Sequence, residues 1–305
     1  MQKNLIWSNL MNNKILSVSF CLITISGAVL ADTPAIADDK NTPAKAAFFV
    51  GIGGGYGNAS VTQSTYARGV SQVYAAGTNE LVSNGTADGS TGNWSNNQST
   101  FAPIGQAGYF QHFGDSDWLW GSKFLYRYFG TTSNQKNVKV PQVGDHISTA
   151  SVVTPFAGFE SINPLQTSVN SQLGLLAFFG KSFGNSRVYV GAGPAAYQIQ
   201  TNINNNVGYA FLDKTLQSIT GTPANYSSTE WVMGGAFELG GSYYINKSWF
   251  IDANYSLGVT ANKTTNYSSP FTNTADGYTT VGTNYLQTRQ SFITNEFTIS
   301  INKAF

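Results

Sequence analysis

The chain has 305 residues, with 16 basic and 15 acidic side chains, and its formal charge of +1 gives no electrostatic reason to expect nucleic acid as a partner. Charged residues make up only 10% of the chain, against about 25% in typical soluble domains, while aromatic residues reach 14%. The single cysteine, Cys21, lies in a segment that we expect to be removed, which excludes disulfides and cysteine-based sites from the mature protein.

The amino-terminal residues have the pattern of a secretory signal peptide. A basic region precedes an apolar stretch that ends in the small-residue site Val29-Leu30-Ala31. This order predicts that residues 1–31 are a cleaved signal peptide and that residues 32–46 form a short polar segment. Cleavage after Ala37 is an alternative. A membrane anchor is the rival interpretation, but the run is shorter than the ~20 residues that span a bilayer.

Residues 47–305 contain segments in which apolar and polar residues alternate, as in β-strands. The clearest is Trp249 to Thr260, where odd positions are apolar or aromatic and even positions after Phe250 are polar or small. In the first segment the glycines at 51, 53 and 55 share one face, and we expect close packing in a lumen there. The other strand-like segments lie near residues 47–59, 101–113, 117–129, 168–183, 187–201, 229–245 and 289–305.

The connections between these segments alternate in length. Three are tight polar turns, at residues 114–116, 184–186 and 246–248, and four are long and rich in Asn, Thr, Ser and Gly, at residues 61–99, 130–167, 202–228 and 262–288. Short periplasmic turns and long extracellular loops are typical of outer-membrane barrels. We therefore predict an all-β fold, a transmembrane antiparallel up-and-down β-barrel of eight strands. Ten strands are the alternative, because residues 148–159 could pair inside a long loop.

The last strand carries the residues on which a family resemblance rests. Phe297, Ile299, Ile301 and Phe305 alternate up to the final residue, which resembles the terminal signal that the outer-membrane assembly machinery recognises. From residue 47 onward, the chain resembles the small opacity-type, eight-stranded outer-membrane proteins of Gram-negative bacteria. The resemblance implies location in the outer membrane and contact with its lipid and lipopolysaccharide. It also implies passage through the assembly machinery and a monomeric state, but it does not fix a function.

Five charged residues are predicted to face the lumen of the barrel. They are Lys123, Arg127, Glu238, Asp252 and Glu296. Opposite charges in a narrow barrel should pair, because an isolated buried charge is costly. An eight-stranded barrel is just wide enough to be filled by its own side chains. We therefore predict a filled lumen, with a narrow porin-like channel for ions or small solutes as the alternative.

His146, Ser148 and Glu160 are the candidate catalytic residues. Their spacing is similar to the active-site arrangement of outer-membrane lipid A deacylases, and a base beside a serine and a carboxylate is what nucleophilic catalysis requires. They fall in a predicted long loop, however, and the residues around them do not follow that family. A lipid A-modifying hydrolase is thus a remote alternative, and we predict that the protein is not an enzyme and needs no metal or other cofactor.

The long loops are the predicted recognition surface. They carry aromatic residues among flexible polar ones, a composition that suits adaptable binding. These aromatic residues include Tyr66, Trp94, Tyr267, Tyr278 and Tyr285. The sequence therefore favours a structural or adhesin-like surface protein, with a host or matrix ligand bound through the loops.

Overall fold

The computed structural model describes residues 44–212 and 215–305, so the predicted signal peptide and most of the polar segment 32–46 lie outside the described residues. The described residues form one antiparallel sheet of thirteen strands. No helix in these two ranges is long and apolar enough to span a membrane. The strands are β1 (Ala46–Ala75), β2 (Leu81–Ser90), β3 (Trp94–His112), β4 (Trp118–Gln135), β5 (Val138–Ser148), β6 (Val153–Ile162), β7 (Leu165–Phe183), β8 (Ser186–Leu212), β9 (Thr215–Ser218), β10 (Ala224–Tyr244), β11 (Trp249–Thr260), β12 (Lys263–Ala275) and β13 (Tyr278–Ala304).

Eight of these strands pair in a closed ring, which we call the barrel. The order is β1, β3, β4, β7, β8, β10, β11 and β13. The ring closes where β13 pairs with β1, from Phe49 beside Ala304 to Ala75 beside Tyr278. A closed ring leaves no unpaired sheet edge, which is the condition for a sheet to cross a membrane. The predicted antiparallel up-and-down barrel is therefore confirmed.

The four predicted long connections are present, but each contains β-strand and not loop alone. β2, β5, β6, β9 and β12 lie within them, and β1, β8 and β13 are lengthened to 30, 27 and 27 residues. The strand number therefore exceeds both eight and ten, although the eight predicted segments are those of the closed ring. Runs of Asn, Ser and Thr are typical of loops. They also suit the outer face of a sheet in water, so composition did not distinguish loops from strands that face water.

The added strands form a β-walled structure beyond one end of the barrel, which we call the extension. From the outer half of β1, pairing continues through β2, β5 and β6 to the outer part of β8 and then β9, while β12 pairs with the outer half of β13. Side chains bridge the gap between β9 and β12. Asn273 Nδ2 donates to the Ser218 carbonyl at 2.8 Å, and Gln217 Nε2 donates to Asp276 Oδ2 at 3.5 Å. The three predicted tight turns lie at the opposite end of the barrel.

An apolar band surrounds the barrel but stops before the extension. On β4 the outward residues from Trp118 to Tyr128 include large exposed apolar side chains, whereas the next outward positions are Gly130, Thr132 and Asn134. About 11 residues of a tilted strand cross the hydrocarbon layer of a bilayer. Exposed aromatic residues lie along this band, as in interfacial girdles. They include Trp118, Trp120, Tyr126, Tyr128, Trp231 and Trp249. This band, the closed ring and the short turns make the chain an outer-membrane-type β-barrel.

The final strand has the orientation predicted from its alternation. Glu296 is buried in the lumen, and Phe297, Ile299 and Ile301 are exposed on the apolar band. Phe305 follows the end of β13, and its backbone N–H donates to the Phe48 carbonyl at 2.9 Å. The carboxyl terminus thus fastens the seam at which the barrel closes.

The alternating glycines of β1 allow this seam to be tight. A Cβ at Gly53 would clash with the Ile299 carbonyl oxygen, and one at Gly55 would clash with Glu296 Oε1. The close packing predicted for this stretch is present, since only glycine leaves the space that the facing strand and Glu296 occupy.

Candidate functional site

The five predicted lumen charges come together inside the membrane-spanning part of the barrel. Lys123 Nζ lies 2.6 Å from Glu238 Oε1 and 4.0 Å from Asp252 Oδ2. Arg127 Nε lies 3.0 Å from Glu296 Oε2. None of the five is more than 3% exposed, so these are buried ion pairs. All five side chains lie on the inward face of their strands, as the alternation predicts.

Neutral side chains complete the hydrogen bonding around these charges. Arg127 Nη1 donates to Gln172 Oε1 at 2.9 Å and to Ser256 Oγ at 3.1 Å. Asp252 accepts bonds from the Ser242 and Tyr189 hydroxyls at 2.6 and 2.9 Å. The bond from Arg127 on β4 to Ser256 on β11 crosses the lumen and the others join nearby strands, so the network fixes the cross-section of the barrel.

Arg187 is a sixth buried charge in the lumen of the barrel, and the sequence reasoning missed it. Its guanidinium carbon lies 4.5 Å from the ring centres of both Phe110 and Phe250, and Nη1 donates to the Tyr244 hydroxyl at 3.2 Å. Among the described residues no carboxylate lies within ion-pair distance of it. Arg187 follows the turn at residues 184–186 directly and so resembles an ordinary turn residue. The inward residues at this end of β8 have odd numbers, and Arg187 is one of them. This alternation could have placed Arg187 in the lumen.

Three apolar clusters fill the lumen at successive levels along β1. The turn-end cluster includes Phe49, Phe110, Leu119, Phe178 and Phe250. The middle cluster includes Val61, Leu125, Phe129, Tyr197 and Phe292. The upper cluster includes Ala67, Val140, Ile162, Leu165 and Leu286. The Lys123–Glu238 pair lies between the first two clusters, whereas Arg127 lies at the level of the middle one, 5.9 Å from the centre of the Phe129 ring. The cavity beside Lys123 and Asp252 measures about 10 Å³, room for one water at most.

Uncharged polar side chains separate the middle cluster from the upper one. The Thr167 hydroxyl donates to Gln63 Oε1 at 2.8 Å, and Gln290 Nε2 donates to the Thr201 hydroxyl at 3.0 Å. All four side chains are buried. The lumen is therefore closed at this level by direct hydrogen bonds between side chains from different strands.

Beyond the upper cluster, the extension encloses a cavity. The wide part has a volume of about 570 Å³ and reaches the far ends of β9, β12 and β13. It narrows to a neck of about 50 Å³ that points towards the barrel. Ser71, His146, Phe156 and Ile219 line both parts, so the two are adjacent. The rings of His146 and Phe156 stack with their centres 4.6 Å apart and form one wall.

Buried polar groups lie at the bottom of the neck. Gln142, Glu160 and Asn284 line it, and each has a side-chain atom without a hydrogen-bond partner: Nε2, Oε2 and Oδ1 respectively. Burial raises the pKa of Glu160 to about 7, although the amides of Asn206 and Asn284 beside it act to lower the pKa. Burial also lowers the pKa of His146. The neck thus holds a carboxyl group that changes charge near neutral pH.

The three candidate catalytic residues do not form a catalytic chain. His146 and Glu160 both line the neck, but Ser148 lies at the β5–β6 turn, where its hydroxyl accepts a bond from the Val152 N–H at 3.1 Å. His146 Nδ1 has no hydrogen-bond partner. A serine that caps a turn and a histidine that no carboxylate orients give no activated nucleophile. Within the described residues no three His, Cys, Asp or Glu side chains are grouped as a metal site.

The aromatic residues assigned to recognition loops divide into two groups. Trp94 and Tyr267 pack against the upper cluster and are part of the filled interior. Tyr66, Tyr278 and Tyr285 are exposed on the extension. The second group is available to a ligand on the outer surface.

No protein-family model matches the chain, and no curated protein matches it in sequence. Among solved structures, Neisserial surface protein A (NspA) is similar at 10% identity and a TM-score of 0.30, over 81% of this chain and 97% of that one. Ail, the attachment invasion locus protein of Yersinia pestis, is similar at 11% identity and a TM-score of 0.23, over 77% and 98%. The outer-membrane protease OmpT from Escherichia coli is similar at 10% identity and a TM-score of 0.29, over 90% and 99%. At these values, the similarities carry no argument about this chain, whose fold is established by its own strand pairing.

Proposed function

We propose that the protein is a non-conducting barrel of the Gram-negative outer membrane that presents a rigid extension at the cell surface to a host or matrix ligand. The observation that carries this proposal is the extension itself. The 16 residues of β1 from Ser60 to Ala75 lie beyond the apolar band. These 16 residues correspond to roughly 50 Å of strand. Because each strand of the extension is paired, its surface is held in place rather than left as a mobile loop.

The filled lumen below the extension supports the proposal that the barrel does not conduct ions. Three apolar clusters and two polar layers lie in series along it. An ion on this route would have to leave water and pass buried side chains that already satisfy one another, which is costly. A narrow channel would need a continuous water path, and the lumen contains little space for one. This favours the filled barrel over the porin-like alternative.

The last strand, β13, and the apolar band support the remaining proposed partners. Phe297, Ile299 and Ile301 face outward in register up to Phe305, as a recognition signal for the assembly machinery requires. The same face provides the surface that contacts membrane lipid and lipopolysaccharide. Since the ring closes within one chain, a monomer is sufficient to span the membrane.

One hairpin of the extension carries an exposed apolar surface, which we call the hairpin patch. It lies on the outward face of β5 and β6, where Val143 is beside Ala157 and Ile147 is beside Val153. Val143 is 71% exposed and Val153 is 56% exposed. Exposed apolar patches beyond the membrane are typical of interaction sites. The hairpin patch is therefore the part of the extension that we assign to ligand contact.

Replacing both Val143 and Val153 by serine tests this assignment. We expect bacteria that carry the double variant to bind to matrix-coated surfaces about tenfold more weakly than bacteria with the unchanged protein, because two apolar contacts are lost. Val281→Ser, on the outward face of β13, is the matched control and should leave binding unchanged. Binding by the double variant equal to that of the unchanged protein would refute the role of the hairpin patch.

A further inference from the structure

We propose that the cavity in the extension binds small molecules with a primary ammonium group on an apolar or aromatic body. The inference depends on the proposed function only in placing the extension outside the membrane, where such solutes can reach the cavity. It requires neither the hairpin patch nor a matrix ligand. It is carried by the shape of the cavity, the unpaired groups at its base and the charges that surround it.

The cavity has two parts, a wide part that can hold the apolar body of a ligand and a narrow neck that can hold its polar end. The wide part, at about 570 Å³, is within the range of small-molecule sites. Its wall includes Val73, Val82, Phe211 and Ile219, which suit an apolar body. The neck, at about 50 Å³, has room only for a small terminal group. A ligand that fills both parts therefore carries its polar group at one end.

Two of the unpaired groups that line the base of the neck are acceptors. Glu160 Oε2 and Asn284 Oδ1 each lack a hydrogen-bond partner, and the unpaired donor beside them in the lining is Gln142 Nε2. Glu160 and Asn284 are 2% and 4% exposed, so both are buried. Buried acceptors without partners are costly and need an explanation. A primary ammonium group has three N–H donors and no acceptor, and so matches the acceptors of Glu160 and Asn284.

The charges around the neck favour a cation over an anion. The titratable side chains that face Glu160 from the neighbouring strands are His146 on β5 and Tyr226 on β10. Asp276 adds a carboxylate at the outer rim. Of the described residues that line the cavity and its neck, none is a lysine or an arginine. A bound anion would meet carboxylates and no lysine or arginine of this lining, whereas an ammonium group would pair with Glu160.

The stacked rings of His146 and Phe156 favour a flat body. Their ring centres lie 4.6 Å apart on the wall between the neck and the wide part. An aromatic ring on the ligand can pack against this wall by offset stacking or edge-to-face contact. Arylalkylamines, with two or three bonds between ring and nitrogen, have the dimensions and the polarity that this arrangement selects.

Calorimetric titration of the full chain, refolded in detergent micelles at pH 8, tests the inference. The probes are 2-phenylethylamine, 2-phenylethanol and 3-phenylpropanoate, which share a body and differ in charge. We expect the amine to bind about tenfold more tightly than the alcohol, and the carboxylate to bind more weakly still. Glu160→Gln should remove this advantage of the amine and leave the alcohol unaffected. Asp145→Asn, which removes an outward carboxylate from the same hairpin, is the matched control and should bind as the unchanged protein does.

A second variant keeps the test decisive if Glu160→Gln disturbs the fold. Ile219→Trp fills the junction of the neck and the wide part from a segment outside the strands, and it should abolish binding of both the amine and the alcohol. The inference is overturned if the amine does not bind the unchanged protein, if amine and alcohol bind equally, or if Ile219→Trp leaves binding intact. Because the titration uses purified protein, its result is independent of whether the hairpin patch binds a matrix ligand.

Discussion

Replacing Arg127 by methionine is expected to destabilise the folded barrel by about 3–5 kcal/mol. Arg127 is 1% exposed and lies 3.0 Å from the Glu296 carboxylate, so the variant leaves that carboxylate buried without its cation. Three further hydrogen bonds, to Gln172, Ser256 and Thr298, are lost with the guanidinium group. The loss of the partner, rather than the intrinsic strength of the ion pair, gives the effect its size.

Urea unfolding in phospholipid vesicles, followed by the electrophoretic mobility of folded and unfolded chains, measures this change. The double variant Arg127→Met, Glu296→Leu should recover most of the lost stability, because an apolar pair of similar volume replaces the charged one. Arg68→Met, at an exposed position of β1, is the control and should shift stability by less than about 0.5 kcal/mol. If the single Arg127 variant is as stable as the unchanged protein, the charged network does not hold the barrel together.

Raising the pH from 4.5 to above about 7 is expected to destabilise the protein by about 3 kcal/mol through Glu160 alone. The pKa of this carboxyl is raised from 4.5 to about 7 in the fold, so the folded state holds its proton more tightly than the unfolded chain does. Below pH 4.5 both states are protonated and Glu160 costs nothing. Stability then falls as the pH rises from 4.5 to about 7, and above about 7 the full cost of a buried carboxylate remains.

Comparison with Glu160→Gln isolates this contribution. The glutamine variant should be more stable than the unchanged protein at pH 8 and should lack the decrease between pH 5 and pH 8. His146 acts in the opposite direction, because its pKa is lowered from 6.5 in the fold. The stability that neutral His146 contributes is therefore lost as the pH falls below 6.5. The glutamine variant keeps this decrease in stability at low pH. Urea midpoints at several pH values measure both effects. Identical pH profiles for the two proteins would show that Glu160 is not buried as the structure has it.

The membrane-spanning part of the fold was predictable from sequence because the bilayer imposes a strong contrast. On β11 each outward position faces lipid and the inward positions after Phe250 are polar or small, so Ile251, Asp252 and their neighbours alternate sharply. The same period places Lys123, Arg127 and Glu296 in the lumen without knowledge of the register. Which cation pairs with which acid depends on the tilt and stagger of the strands, and the alternation carries no information about these.

The extension and its cavity were not predictable in the same way. Outside the bilayer, both faces of a strand can carry Ser, Thr and Asn, so the contrast that identifies a strand weakens in β2 and β12. The neck is built from residues far apart in the chain, since Glu160, Asn206 and Asn284 belong to β6, β8 and β13. Only the pairing of those strands brings the side chains together. Spacing along the sequence grouped His146 and Glu160, which both line the neck, but it placed Ser148 with them and missed the two asparagines.

Conductance across planar lipid bilayers tests the filled lumen most directly. With the refolded protein inserted, we expect no steady ionic current above that of the bare bilayer, because three apolar clusters and the paired charges occupy the lumen. A water-filled porin inserted under the same conditions serves as the positive control for insertion and detection. Steady open-channel steps from the unchanged protein, altered in size by Arg127→Met, would contradict a filled lumen and establish a conducting path through the charged network.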